Sequence, residues 1–225
     1  MKHISIAIDG PAGAGKSTIS KIAANRMGFV YIDTGAMYRA AALYAIEHGI
    51  SIKQDRETLL GILDEIEIDL KQEDGAQKVY LCGRDVSERI READVSIGSS
   101  DIAVIPQVRE KLVARQRELA QSRNVIMDGR DIGTNVLPNA DLKIFLTASL
   151  DDRAARRFEE LQQKGMPCKL DEVKKDMAYR DKNDSERDCA PLSKADDAVL
   201  VDTTGNTLEQ SVQVITEMID RLIGG

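Results

Sequence analysis

The stretch Gly10-Pro11-Ala12-Gly13-Ala14-Gly15-Lys16-Ser17-Thr18 constrains this chain more than any other. It stands between an apolar run, Ile4-Ser5-Ile6-Ala7-Ile8, and an amphipathic stretch carrying Ile19, Ile22, Ala23 and Met27. Strand, glycine-rich loop, helix is the context in which such a string forms a phosphate-binding loop. Glycines let the backbone curl until successive N–H groups face one anion, and the new helix adds the positive end of its dipole. Lys16 then reaches the β- and γ-phosphates, and the Ser17 hydroxyl is placed to hold Mg²⁺. The chain is expected to bind a nucleoside triphosphate, with residues 10–18 as its cradle.

Five β-type runs, 2–8, 29–32, 124–128, 141–147 and 197–202, are rich in Val, Ile, Leu or Phe, and helical patterns separate most of them. Such alternation predicts an α/β fold, a parallel sheet covered by helices. The 225 residues suit one medium domain with insertions. Gly28 is expected to end the first helix and Gly49 the next, over 36–48. Pro106 fits the first turn of a helix over 107–121, and Thr207-Leu208-Glu209-Gln210 reads as a capping box. One segment departs from the pattern. Ile66, Ile68 and Leu70 alternate with charged residues, Gln72-Glu73-Asp74-Gly75 punctuates, and Val79 and Leu81 alternate again. This predicts a hairpin with one wet face inside an inserted subdomain at about 62–95, leaving 1–61, 96–152 and 189–225 as the core. Residues 153–188 carry both charges densely, with Gly165 and Pro167. They read either as a mobile cover over the site or as two solvated surface helices.

Composition removes whole classes of function. Net charge of −7 disfavours nucleic acid as a partner. No apolar run approaches the ~20 residues of a spanning helix, and no secretory core follows Met1, so no membrane association is expected. Cys82, Cys168 and Cys189 are odd in number and lack C-x-x-C spacing, which fits a reducing cytoplasm. The only histidines, His3 and His48, lie near no nucleophile motif.

Beside a phosphate loop, three further clusters gain chemical meaning. Asn124-Val125-Ile126-Met127-Asp128 is an apolar strand ending in a carboxylate, the usual partner of the loop's Ser/Thr or of Mg²⁺-bound water. Arg130 and Asp131 follow at the carboxyl end of that strand, where open α/β sheets bind ligands, or they form a local ion pair closing the turn. Thr34 and Arg39 lie just past the second strand. Thr34 can cap the next helix, and Arg39 offers a forked donor to a second phosphate. Arg180, Asp184 and Arg187 share one helical face at this spacing, as a solvated ion-pair ladder or as site residues. The abundance of guanidinium groups, with Arg153, Arg156 and Arg157 added, suits a phosphoryl-transfer site. Arg157 is counted with residues 10–18 on the donor-nucleotide side.

The strings IDGPAGAGKST, DTGAMYRA, DVSERIR, PQVREKLVARQR, DGRDIGT and RDKNDSERDCAPL, in this order, resemble the bacterial cytidylate kinases over essentially the whole chain. The resemblance implies a P-loop three-layer fold on a five-stranded parallel sheet, with a long monophosphate-binding insert and a short helical lid. It implies ATP as phosphoryl donor with Mg²⁺, and CMP and dCMP as acceptors. Carried onto matching positions, Ser100, Arg109 and Asp131 would face the cytosine, and Thr34, Arg39 and Arg130 the acceptor nucleotide and its phosphate. Arg180 and Asp184 would contact the ribose, and Arg187 the phosphates. Lys16, Arg130, Arg180 and Arg187 are thus the expected catalytic set, with Ser17 and Asp128 on the metal. Without the resemblance, Ser100 and Arg109 read as surface residues of two ordinary helices. After GRDIGT, Asn135 and Asn139 stand where the family is expected to carry an apolar residue and Asp. A monomer is expected. The competing readings are a P-loop kinase for another small acceptor and a nucleotide-dependent switch. A GTP switch would need an N-K-x-D motif, and none is present.

Overall fold

The computed structural model describes residues 3–73, 76–163 and 165–224. Along the chain come β1 (Ser5–Asp9), α1 (Lys16–Met27), β2 (Val30–Asp33), α2 (Thr34–Glu47), α3 (Arg56–Gly61), β3 (Ile68–Glu73), β4 (Ala76–Leu81) and β5 (Arg84–Asp85). Then follow α4 (Ala93–Ile102), α5 (Pro106–Ala120), β6 (Val125–Gly129), β7 (Leu142–Thr147), α6 (Leu150–Gln163), α7 (Leu170–Glu186), β8 (Val199–Asp202) and α8 (Leu208–Gly224). A five-stranded parallel sheet is ordered β2-β6-β1-β7-β8, and it uses all five β-type runs. The chain divides into two compact units, one of residues 1–31 and 120–225, the other of Ile32–Leu119. The second is wider than the insert expected at 62–95.

In the first unit, β1 lies between β6 and β7, each pairing parallel. Ile6 and Ile8 alternate along β1 and meet Ile126, Ile144 and Leu146 of the neighbouring strands. Ile19 and Ala23 of α1 and Val212, Ile215 and Ile219 of α8 complete this core. The capping box at the head of α8 forms both its bonds: the Gln210 N–H donates to Thr207 Oγ1 at 3.2 Å, and the Thr207 N–H to Gln210 Oε1 at 2.8 Å. α6 and α7 pack through Ala154, Val173 and Met177, so each hides an apolar seam and is not solvated all round.

The second unit has its own core, in which Met37, Ala41 and Leu43 of α2 meet Val95 and Ile102 of α4 and Leu112 of α5. Pro106 opens α5, one residue earlier than expected, where its missing N–H costs nothing. The expected hairpin is β3–β4. Its register sets Ile68 opposite Leu81 and Leu70 opposite Val79 on the dry face, Asp69 opposite Tyr80 on the wet one. Asp74 and Gly75 of its turn lie outside the described residues. β5, too short to show a period of two, adds a third strand.

α2 begins at Thr34, not 36, and this corrects the expected cap. Asp33 holds the N-cap position with extended backbone, and its carboxylate accepts from Ala36 N–H at 2.8 Å. A carboxylate one residue ahead of a hydroxyl reaches the third helical N–H and wins the position.

Candidate active site

The glycine-rich loop joins β1 to α1, and two of its glycines are there by necessity. Gly10 has φ +150°, and a Cβ on it would lie 1.9 Å from the backbone carbonyl oxygen of Leu146. Gly15, the N-cap of α1, is left-handed at φ 86°. The curl buries Lys16 while Ser17 and Thr18 open outward. The Lys16 ammonium donates to the Pro11 carbonyl at 2.7 Å. Burial and the neighbouring Arg130 hold it well below its ordinary value, against the pull of Asp128, Asp9 and Asp184.

Asp128 is the penultimate residue of β6, which runs one residue past the expected strand end. Its Oδ2 accepts from Ser17 Oγ at 2.8 Å and its Oδ1 from the Tyr31 hydroxyl at 2.9 Å. Ser17 and Asp128 therefore present hard oxygens side by side, the donor type that Mg²⁺ takes alongside substrate phosphates. Among the described residues no group of three or more His, Cys, Asp or Glu side chains could hold a metal alone.

Beyond Asp128, acids and bases alternate between two segments. Arg130 donates to Asp184 at 2.8 Å, and Arg187 to Asp131 at 3.0 Å, the latter pair only 2% and 6% exposed. Arg130 and Asp131 are thus not paired with each other. Arg130 holds the Asp184 carboxyl below the usual range despite burial, which acts the other way, and Arg180 adds to the effect. Asn135 Nδ2 donates to the second oxygen of Asp131 at 3.0 Å.

The ladder reading fails for Asp184 and Arg187, which are both buried. The shared helical face needs correcting too. α7 stops at Glu186, and Arg187 is extended, with its Nε donating to the Ala190 carbonyl at 2.7 Å. Arg157 forms an ion pair with Glu160 of its own helix at 2.8 Å.

The Ala12 contacts of Arg153, counted in the sequence only as one more guanidinium, and the roles of Asp181 and Asp9 were not read there. The Ala12 peptide is gripped at both polar groups: its N–H donates to Asp181 at 3.1 Å, and Arg153 donates to its carbonyl at 2.7 Å. Arg153 and Asp181 are themselves paired at 2.7 Å. The Asp9 carboxylate accepts from Ile132 and Gly133 N–H. Asp9 repeats the strand-end carboxylate pattern that singled out Asp128, so a signal existed. Asp181 had only its place in a charged run.

Burial pushes the Asp9 carboxyl up to about 6, and repulsion from Asp131 adds to it; the Gly133 and Ile132 N–H bonds and Lys16 act in the opposite direction. A folded value above the unfolded one means that Asp9 contributes stability most fully below pH ~4, and that this contribution is lost as pH rises through about 6. Asp9→Asn abolishes that dependence. The stability difference between the two chains is expected to change by about 3 kcal/mol between pH 4 and 7. Denaturant titrations of both chains that stay parallel across this window would remove the assignment.

In the second unit, Arg39 donates to Asp33 at 2.8 Å, and α2, which carries both Thr34 and Arg39, packs on α4, which carries Ser100. Ser100 and Arg109 are 4% and 2% exposed, so they are not the surface residues their helices suggested. The Arg109 guanidinium lies over the Tyr38 ring, 5.6 Å from its centroid. Buried charge of this kind is retained where it has work to do or a partner to meet.

Comparison with known proteins bears on the same residues. The cytidylate kinase family model matches residues 6–221. The chain is 52% identical over 227 residues to a cytidylate kinase of Caldicellulosiruptor bescii, covering 99% of this chain and 98% of that one. It is 51% identical over 223 residues to a cytidylate kinase of Geobacillus thermodenitrificans, covering 99% of each. Among solved structures, a gluconokinase from Sinorhizobium meliloti superposes with a TM-score of 0.52 at 13% identity, over 97% of this chain and 93% of that one, a likeness of fold alone. The matched span takes in the loop at 10–18, Asp128 and the paired charges from Arg130 to Arg187, and on that match the chain belongs to the cytidylate kinase family.

Proposed function

We propose that this chain transfers the γ-phosphoryl group of ATP to CMP and dCMP, giving ADP and CDP or dCDP. Half-identical relatives along the full length carry the name of this activity, and the observation that carries the chemistry is the buried Lys16 beside the Ser17–Asp128 pair. The acceptor phosphate has a second pKa near 6, so it is largely dianionic at neutral pH and needs no general base. Catalysis is then positioning and charge neutralisation. The N–H groups of residues 10–18 and Lys16 bind the donor phosphates, with Arg157 added on that side. Ser17 and Asp128 would hold Mg²⁺, which when bound neutralises charge on the donor phosphates. Arg130, Arg180 and Arg187 supply guanidinium groups to the migrating phosphoryl, and Asp184 orients two of them and meets the ribose.

On the acceptor side, Thr34, Arg39, Ser100 and Arg109 are assigned by resemblance to acceptor binding. Asp131 is the base reader: its carboxylate accepts from the cytosine N4 amine and repels the oxygen that uracil carries there. Movement of the lid, α6 and α7, would exclude water and suppress wasteful ATP hydrolysis. The unpaired cysteines support a cytoplasmic setting, and a single chain is taken as the working unit. No helix among the described residues is long and apolar enough to cross a membrane.

An acceptor panel scored by ADP release tests the activity. Release is expected with CMP and dCMP, and not with AMP, GMP, shikimate or gluconate. Equal rates without any acceptor would favour a nucleotide-dependent switch. Asp131→Ala is expected to narrow the CMP-over-UMP ratio of kcat/KM by about 10²-fold, since a buried mismatch costs a few kcal/mol. An unchanged ratio would take Asp131 out of base recognition.

A further inference from the structure

Asp9 ends β1 one residue ahead of Gly10 and is 5% exposed, and the phosphate chemistry above leaves it without a task. Its Oδ1 accepts from Ile132 N–H and its Oδ2 from Gly133 N–H, both at 2.7 Å. These are the first two residues of a π-helical turn, Ile132–Val136, that directly follows Arg130 and Asp131. The N–H groups that open a helical turn have no partner within it, and an acid at the N-cap ordinarily serves them. Here Asp131 holds that N-cap position yet makes no side-chain cap bond; its oxygens meet Arg187 and Asn135 instead. The cap comes from another strand, 123 residues away in sequence. Space at the junction is tight: a Cβ on Gly133 would lie 3.1 Å from the Lys143 side chain and 3.4 Å from Asp9 Oδ2. The charges that act on Asp9 are those of Asp131 and Lys16. The Lys143 ammonium is turned to Asp197.

We propose that Asp9 is a positioning residue for acceptor selection: by capping the turn from β1 it leaves the Asp131 carboxylate to read the acceptor base. This rests on the acceptor-side role assigned above to Asp131. Asn is the discriminating replacement. Its side chain offers one acceptor and one donor, so one of the two N–H groups loses its partner while volume is conserved.

Amide hydrogen exchange on the wild-type chain is read first and needs no variant. Ile132 and Gly133 are expected to exchange as slowly as the β6 amides, and rapid exchange at both would overturn the proposal. In Asp9→Asn, at least one of the two is expected to lose protection. The KM for CMP is expected to rise ~10-fold and the CMP-over-UMP ratio to fall, with the KM for ATP moving less than ~3-fold. Equal changes in both KM values, or a lowered Tm with CMP kinetics intact, would reduce Asp9 to a structural residue and sink the proposal. Asp131→Ala run in parallel separates the two failures. If it leaves base preference unchanged, the acceptor reading itself falls and takes the positioning role with it. If it alters preference while Asp9→Asn does not, only the role of Asp9 is lost.

Discussion

Lys16→Ala is expected to lower kcat by at least about 10³-fold while the chain stays folded. The ammonium is buried and bonded to the loop's own Pro11 carbonyl, so it is already held at the phosphate cradle. An anion entering that cradle meets a charge poorly solvated by water and therefore strongly felt. Removing it costs transition-state stabilisation of roughly 4 kcal/mol or more, at 1.4 kcal/mol per decade of rate. Folding is expected to suffer little, because Lys16 is held below its ordinary value by burial and by Arg130, and the alanine leaves no charge behind. Single-turnover phosphoryl transfer and a thermal melt are the two measurements. Turnover within tenfold of the wild type would refute the loop's catalytic role, and a collapsed melt would show that Lys16 is needed for the fold.

Arg187→Ala is expected to damage both rate and stability. Its partner Asp131 is buried at 6% side-chain exposure and would lose this guanidinium, keeping the Asn135 amide on its other oxygen. Breaking a buried pair in this way costs about 3 kcal/mol or more, which lowers the Tm of a chain this long by roughly 6–12 °C. With Arg187 serving the phosphates as proposed, loss of its guanidinium should lower kcat by a further ~10²-fold. Arg187→Lys separates the two effects. The ammonium restores charge near Asp131 but offers no planar fork to a phosphate, so stability should recover more than rate. Recovery of both together would assign Arg187 to electrostatic support alone.

The parts of the molecule legible in the sequence are those governed by local pattern. The loop at 10–18, the apolar strands and the capping box at Thr207 each depend on a few adjacent residues whose spacing dictates backbone geometry. Asp128 was legible by position, since a strand ending in a carboxylate next to such a loop has few other uses. Local pattern failed where two local rules competed or where a contact came from far away. Thr34 and Asp33 are both good caps, and only backbone angles decide between them. Arg187 fits the face of α7 by spacing, but the helix ends one residue earlier. Ser100 and Arg109 read as surface residues because burial by a neighbouring helix leaves no mark on their own period. Resemblance alone singled them out.

The grip of Asp181 and Arg153 on the Ala12 peptide bears on how any cover over the site can swing. Arg153 sits in the first turn of α6 and Asp181 in the last turns of α7, so both roots of this helical hairpin are tethered to the loop. A rigid lever pivoting at its base would tear a half-buried ion pair and two peptide bonds' partners apart together. Any bending that spares both contacts would be confined to the distal turns, and a load on the hairpin's tip would be transmitted through Arg153 and Asp181 to the loop at residues 10–18.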